Sequence, residues 1–171
     1  MNVDTSIGVR GDVRMRVRDA RSGEVLRNLE IRNRITHGGL GVLVRMLNYP
    51  GNDPEQASLY IANLGVGSGT SQPLASNTGL ELPLVPPVNL AVVSPNVSVS
   101  VPGVGGSYYV TIMATLEAGQ GNGNTLTEAG LYTAGGGSLN APILVARQVH
   151  PAIDKTSAIV IDYEWRITLS A

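Results

Sequence analysis

Few groups in this 171-residue chain could do chemistry, and their spacing suits it poorly. His37 and His150 are the two histidines. His150, Asp154 and a serine could be assembled into a Ser-His-Asp relay, but no G-x-S-x-G elbow presents a nucleophile. Cysteine is absent, which removes thiolate nucleophiles, thiolate zinc sites and disulfides. Neither an H-x-x-x-H pair nor an acidic loop with EF-hand spacing is present to hold a metal. Gly65-Val66-Gly67-Ser68-Gly69-Thr70 could cradle a phosphate. It lacks the Lys-Ser/Thr ending of a P-loop and the glycine spacing of a dinucleotide fingerprint, so a tight exit from a strand is the plainer reading. We therefore expect no catalytic, cofactor-binding or metal-binding residues.

Binding chemistry is better represented. Arg10, Arg14, Arg16 and Arg18 stand at two-residue spacing and project from one face of a strand. Residues 1–45 hold nine Arg against five acids, and the remainder holds three bases against eight acids. Such a gradient suits contact with nucleic acid or head-to-tail contact between copies, and its plainer reading is a solvated strand face. Asp12 and Glu30 interrupt the series and no aromatic platform lies beside it, so nucleic acid is not the expected partner. Eleven of the twelve bases are Arg, whose planar fork favours protein contacts. Arg10-Gly11-Asp12 spells an adhesion tripeptide inside a patterned strand, where it is not displayed. Asn96-Val97-Ser98 fits a glycosylation acceptor, but the charged N-terminus does not read as a secretion signal.

The elements that must position these residues are mostly strands. From Ile159 to Leu169, Ile159, Ile161, Tyr163, Trp165, Ile167 and Leu169 fall on one side and Val160, Asp162, Glu164, Arg166 and Thr168 on the other. That period of two predicts a strand with one buried face. Residues 7–35 read as a hairpin turned by Asp19-Ala20-Arg21-Ser22-Gly23. Residues 36–48 read as a helix capped by Thr36, with Leu40, Leu43, Val44 and Leu47 as its core stripe and Gly38, Gly39 and Gly41 weakening its first turns. Pro50 to Pro54 ends it. Further strands are expected at 58–66, around Val97–Val101, at 107–117, 125–133 and 142–149. Residues 67–90, with Pro73, Pro83, Pro86 and Pro87, form a long loop of the kind that is functional or docked on a neighbour. About eight strands and one short helix in the N-terminal half predict a mainly β chain, an antiparallel β-sandwich of one domain over residues 1–171. No segment is apolar enough over ~20 residues to cross a bilayer as a helix.

Two stretches carry more than a generic β pattern. Leu64-Gly65-Val66-Gly67-Ser68-Gly69-Thr70-Ser71, followed by Pro73, Asn77-Thr78 and Leu80-Glu81, is one. Thr127-Glu128-Ala129-Gly130-Leu131-Tyr132, Leu144-Val145-Ala146-Arg147 and Ile153-Asp154-Lys155-Thr156 form the other. In this order, and with Asn33, Ile35, Thr36, Gly39 and Leu40 before them, they resemble small accessory structural proteins of tailed bacteriophages. Those proteins serve as capsid decoration, collar, baseplate or tail components. The resemblance implies a virion protein made in the host cytoplasm, forming symmetric oligomers and docking on capsid or tail proteins. From the residues themselves, Gly130 suggests a bulge or a close backbone approach. Arg147 and Lys155 could pair with Glu128 or Asp154.

The function expected is therefore non-enzymatic: self-association and docking that stabilise or decorate a particle. Its contact residues are expected among Arg10, Arg14, Arg16, Arg18, Pro73, Pro83, Pro86, Pro87, Arg147 and Lys155, with no cofactor and no membrane. The alternative is a carbohydrate-binding host-recognition module of a phage tail, using Tyr49 and Tyr132 at loop tips. A hydrolase built on His150 comes third.

Overall fold

The alternating segments become strands where the period of two puts them. In a computed structural model that describes residues 8–47, 58–92, 97–100, 108–135 and 141–170, nine strands and one helix follow one another. They are β1 (Gly8–Asp19), β2 (Val25–Ile35), α1 (His37–Met46), β3 (Ile61–Gly67), β4 (Asn89–Ala91), β5 (Val97–Ser100), β6 (Tyr108–Leu116), β7 (Thr125–Thr133), β8 (Leu144–Asp154) and β9 (Ile159–Ser170). Every pairing is antiparallel, in the order β4-β3-β7-β8-β2-β1-β9-β6-β5. The mainly β, sandwich-like fold is thus as expected, with β4 as an unforeseen ninth strand.

The two layers belong to one curled sheet. β2 and β8 pair only through Arg34 with Arg147 and Ile35 with Ala146. Beyond that two-residue corner the halves diverge and face each other, and at the open side β4 comes against β6. Between them lie Val13, Met15 and Val17 of β1, Ile112 and Leu116 of β6, Leu64 of β3, Leu126 and Leu131 of β7 and Val145 of β8, all buried. β9 sits centrally in its half, paired along its length with β1 and along most of it with β6. Ile161, Tyr163, Trp165 and Ile167 are buried there, so this strand brings the largest fully buried side chain, Trp165, into the core. With its amide oxygen turned to the indole, Asn33 accepts from Trp165 Nε1 while its amide nitrogen donates to the Gly11 carbonyl (2.9 Å). A Cβ on Gly11 would occupy the place of that amide, which explains the glycine inside a strand.

Local chemistry closes the elements. The Asp19 carboxylate accepts from Arg21 N (2.9 Å) and from Ser22 N (2.7 Å), and Gly23 takes a φ of 73° to finish the β1–β2 turn. Thr36 caps α1: its hydroxyl accepts from Gly39 N (3.0 Å) and donates to the Leu144 carbonyl. The Thr36 N–H reaches Val145 O (3.0 Å), so the cap also fastens the helix to β8.

Three expectations about the elements need correction. The helix does not bury its Leu40-Leu43-Val44-Leu47 stripe; Leu40, Val44 and Leu47 are exposed, and Gly39 and Val42 face the sheet. Gly39 decides this, because a Cβ there would overlap the Val145 carbonyl, and one on Gly38 beside it would similarly crowd Ile143 and Leu144, so their bare faces let the helix approach β8. The last strand before β9 does not stop at Val149 but runs through Pro151 to Asp154. Pro151 is tolerated because it lies in a register shift of β8 against β7, where no ladder partner needs its missing N–H. The loop between β3 and β4 docks on its own sheet, held by Glu128 and Arg147. Tyr49, Asn96, Pro50 to Pro54 and Val101 lie outside the described residues.

Candidate functional site

The outer face of the β4-β3-β7-β8 half has a floor of glycine. Gly65 pairs with Gly130 and Gly67 with Glu128 across β3 and β7, and Gly130 pairs with Arg147 across β7 and β8. Directly paired residues share a face. The outcome is a shallow, nearly side-chain-free trough with one carboxylate and one guanidinium standing in it. The chain from Ser68 to Val88 folds back into this trough.

Glu128 holds it there. Its Oε1 accepts from Gly69 N (3.0 Å) and Leu82 N (2.8 Å); its Oε2 accepts from Glu81 N (3.1 Å) and Arg147 Nε (2.8 Å). Two donors per oxygen fill the lone-pair positions of the carboxylate. Arg147 spends its other nitrogens on Ser71 O (3.2 Å), Asn77 Oδ1 (3.2 Å) and Glu81 Oε2 (3.4 Å). Glu81 in turn accepts from Ser71 Oγ (2.6 Å) and Ser71 N (2.8 Å), and the Ser71 hydroxyl foremost holds its carboxyl below the usual range. The Tyr132 hydroxyl accepts from Leu80 N (3.0 Å), and Thr127 Oγ1 donates to Gly69 O (2.8 Å). The same loop reaches α1, where His37 N donates to Ala75 O (2.7 Å).

Arg147 is therefore not a contact residue: it is buried, and its partner is Glu128, one of the two carboxylates the sequence put forward for it. Lys155 is corrected for the same reason. This sole lysine is buried and donates to Thr156 O (2.9 Å), Asn122 Oδ1 (3.0 Å) and Ala118 O (3.3 Å), tying the turn after β6 to the start of β9. Burial lowers its pKa, against the opposing pull of Glu117. Neither Glu128 nor Asp154 is its partner; Asp154 accepts from Thr125 Oγ1 (2.6 Å). Pro73 is half-buried, while Pro83, Pro86 and Pro87 are exposed around the cis Val85–Pro86 peptide. The prolines thus shape the outer rim of a loop whose inner side is occupied by its own sheet.

The arginines of β1 form the opposite outer face, on the β2-β1-β9-β6 half. Register places opposite charges beside each other: Arg14 between Glu30 and Glu164, Asp12 between Arg32 and Arg166, Arg16 next to Asp162. Arg14 lies 3.5 Å from Glu30 and 3.6 Å from Glu164; Arg10 pairs with Asp12 (2.9 Å) and Arg18 with Asp162 (2.6 Å). Hydrogen bonding from Arg18 is the main reason the Asp162 carboxyl is held below its usual range. Arg166 stacks over Tyr109, 4.5 Å from the ring centre. The charge gradient along the sequence is folded away here, because β9 lays Asp162 and Glu164 beside the basic strand β1. Arg10, Arg14, Arg16 and Arg18 remain on the surface as members of a mixed-charge lattice.

The rival sites fare differently. His150 is buried, its Nδ1 lies 3.0 Å from Pro151 O, and Asp154 is turned to Thr125, so no relay with Asp154 exists. Tyr132 is half-buried beneath Leu80 with its hydroxyl engaged. Among the described residues no three His, Asp or Glu side chains gather as a metal site.

What sequence reasoning missed is an apolar surface. Leu40, Val44, Met46 and Leu47 on α1, with Tyr60, Val97, Val99 and Tyr108 opposite, are exposed at one end of the sandwich. Met46, Tyr60, Val97, Val99 and Tyr108 line a groove of about 400 Å³ between the helix and the ends of β5, β6 and β9. The composition of the helix, with only His37 and Arg45 polar, was the available signal. No protein-family model matches this chain, and neither a curated protein nor a solved structure does.

Proposed function

We propose that the chain is a non-enzymatic structural protein of a tailed-phage virion, which self-associates and docks on capsid or tail proteins to stabilise or decorate the particle. One observation carries this reading. The polar groups best suited to chemistry, Glu128, Arg147, Lys155 and His150, are turned into the fold, whereas apolar side chains of α1 and β5 are left at the surface. That division suits a protein that works by contact. Support also comes from where the phage-like motifs meet. Gly67, Gly69, Asn77, Glu81, Glu128, Gly130, Tyr132 and Arg147 are scattered over 80 residues of sequence and belong to one network of hydrogen bonds and glycine contacts. A resemblance that spans separate segments is expected when those segments build a single structural lock.

Cryo-microscopy of purified particles that encode this chain tests the proposal. Density for several symmetric copies on capsid, collar or tail is the expected result. Absence of the protein from intact virions would overturn it.

A further inference from the structure

We propose that the uncovered side of α1 and the groove beside it form a two-fold contact between two copies of this chain. This rests on the self-association reading above and goes further by naming the surface.

The helix itself is the first argument. Its sequence, HGGLGVLVRM, has only His37 and Arg45 as polar side chains. A helix apolar all round is a buried helix. Here the Gly39 and Val42 side is covered by β8, yet Val44 is 69% and Leu47 is 87% exposed. Among the described residues, that second side of the helix is left uncovered.

Shape is the second. The 400 Å³ groove is walled by Val42, Leu43 and Met46 on the helix and by Val97, Val99 and Tyr108 across from it, while Leu40, Val44 and Leu47 stand exposed on the same helix outside that lining. A two-fold contact requires each copy to present the same, self-complementary patch. One helix that carries both an exposed apolar ridge and a groove wall can meet that requirement, the ridge of each copy entering the groove of the other. No carboxylate lines the groove among the described residues, so nothing in it selects a charged partner.

Area is the third. At on the order of 100 Å² for each exposed large side chain, the four on the helix and the four across the groove present roughly 800 Å², the area each partner buries in a stable interface of standard size. Large apolar patches on monomers are usually smaller than that. β5, the last strand of the sheet among the described residues, adds Val97 and Val99 at an edge that monomeric proteins blunt with charge.

Sedimentation equilibrium of the full chain from about 1 to 100 µM, the range in which standard-size interfaces assemble, is the test. The expected result is a dimer, or a larger assembly built from dimers. Leu47→Glu and Val99→Lys, one on the ridge and one on the groove wall, should each weaken it on the order of a hundredfold. Compared at a concentration where the parent is itself monomeric, their melting curves should match it, because both side chains are mostly in solvent. Val85→Glu, exposed on the β3–β4 loop, should leave the assembly unchanged. A monomer throughout the range overturns the contact and self-association together. An assembly that survives both Leu47→Glu and Val99→Lys overturns this contact alone and leaves self-association standing elsewhere.

Discussion

Arg147 Nε donates to Glu128 Oε2 across 2.8 Å between adjacent strands, and neither side chain is more than 1% exposed. An ion pair taken this far from water is not a cheap source of stability, since desolvation offsets most of the attraction. Its consequence is positional. Glu128 gathers three backbone N–H groups of the β3–β4 loop, and Arg147 neutralises the charge that gathering requires. The pair converts a segment rich in Pro and Gly, with no strand or helix of its own until β4, into a fixed outer layer.

Breaking the pair from either side should therefore cost much more than removing both partners. Glu128→Ala leaves a buried guanidinium with only the longer contact to Glu81 (3.4 Å) for charge, and Arg147→Met leaves a buried carboxylate with only amides around it. We expect each to destabilise the fold by about 3–5 kcal/mol, with the combined variant costing clearly less than the two added together. Urea unfolding measures this directly, and the absence of cysteine keeps the transition free of thiol chemistry. Proteolytic nicking between residues 71 and 88 should accelerate in both single variants.

The glycine floor makes a separate prediction with a graded outcome. A Cβ on Gly67 would lie 2.5 Å from the Leu82 carbonyl oxygen, a backbone atom that cannot move without lifting the loop. A Cβ on Gly130 would lie 2.8 Å from Leu144 Cδ1 and 3.1 Å from Leu80 Cδ2, which are ends of flexible side chains. Gly67→Ala should cost about 1–3 kcal/mol, the range for overpacking, and Gly130→Ala less. Gly79→Ala, with nothing within 4 Å of its new methyl, is the control and should stay near the parent. Thermal unfolding ranks the three.

What the sequence made legible follows from how far apart the cooperating residues are. β9 and β1 announce themselves because alternation is local, and the Thr36 cap because it acts three residues away. The loop was legible as something docked, but its dock was not. The floor is built from Gly65 and Gly67 on one strand and Gly130 on another, and no local period reveals that they adjoin. The helix misled for a related reason. Its i, i+4, i+7 stripe is a true apolar face, but the approach to β8 was decided by Gly39, whose contribution is the absence of a side chain. Likewise the arginine series reads as a positive surface until β9, over 140 residues later, supplies Asp162 and Glu164 beside it.

His150 sets a pH dependence that can be checked without any assay of function. Burial lowers its pKa from 6.5, partly countered by its contact with the Pro151 carbonyl, and Arg27 lowers it further. The unfolded chain then binds a proton at higher pH than the folded one does. Its contribution to stability is complete above pH 6.5 and is lost as pH falls through 6.5 toward the lower folded value. The melting temperature should drop between pH 7.5 and 5.5, before the carboxylates of Asp19, Glu81 and Asp162, all held low, titrate. His150→Leu, similar in bulk and without a titrating ring, should flatten that part of the curve. Persistence of the full drop in His150→Leu would assign it to other groups.

Lys155 offers the sharpest check on the layer beneath the turn that follows β6. It is the chain's single lysine, 1% exposed, with three oxygen acceptors and, among the described residues, no carboxylate in contact. An amine held by neutral oxygens can leave only if the turn opens. An amine-selective reagent should leave Lys155 unmodified in the folded protein and label it once denaturant passes the unfolding midpoint, as peptide mass mapping would show. Lys155→Met keeps the long stem but abandons three oxygens, and should cost about 1–3 kcal/mol, the penalty for leaving buried acceptors unpaired. Amide exchange should then quicken at Gly123, whose N–H bonds Lys155 O (2.9 Å), while the β1–β9 ladder keeps its protection. Rapid labelling of Lys155 in the native state would mean that this turn opens on its own, and that the lysine does not hold it.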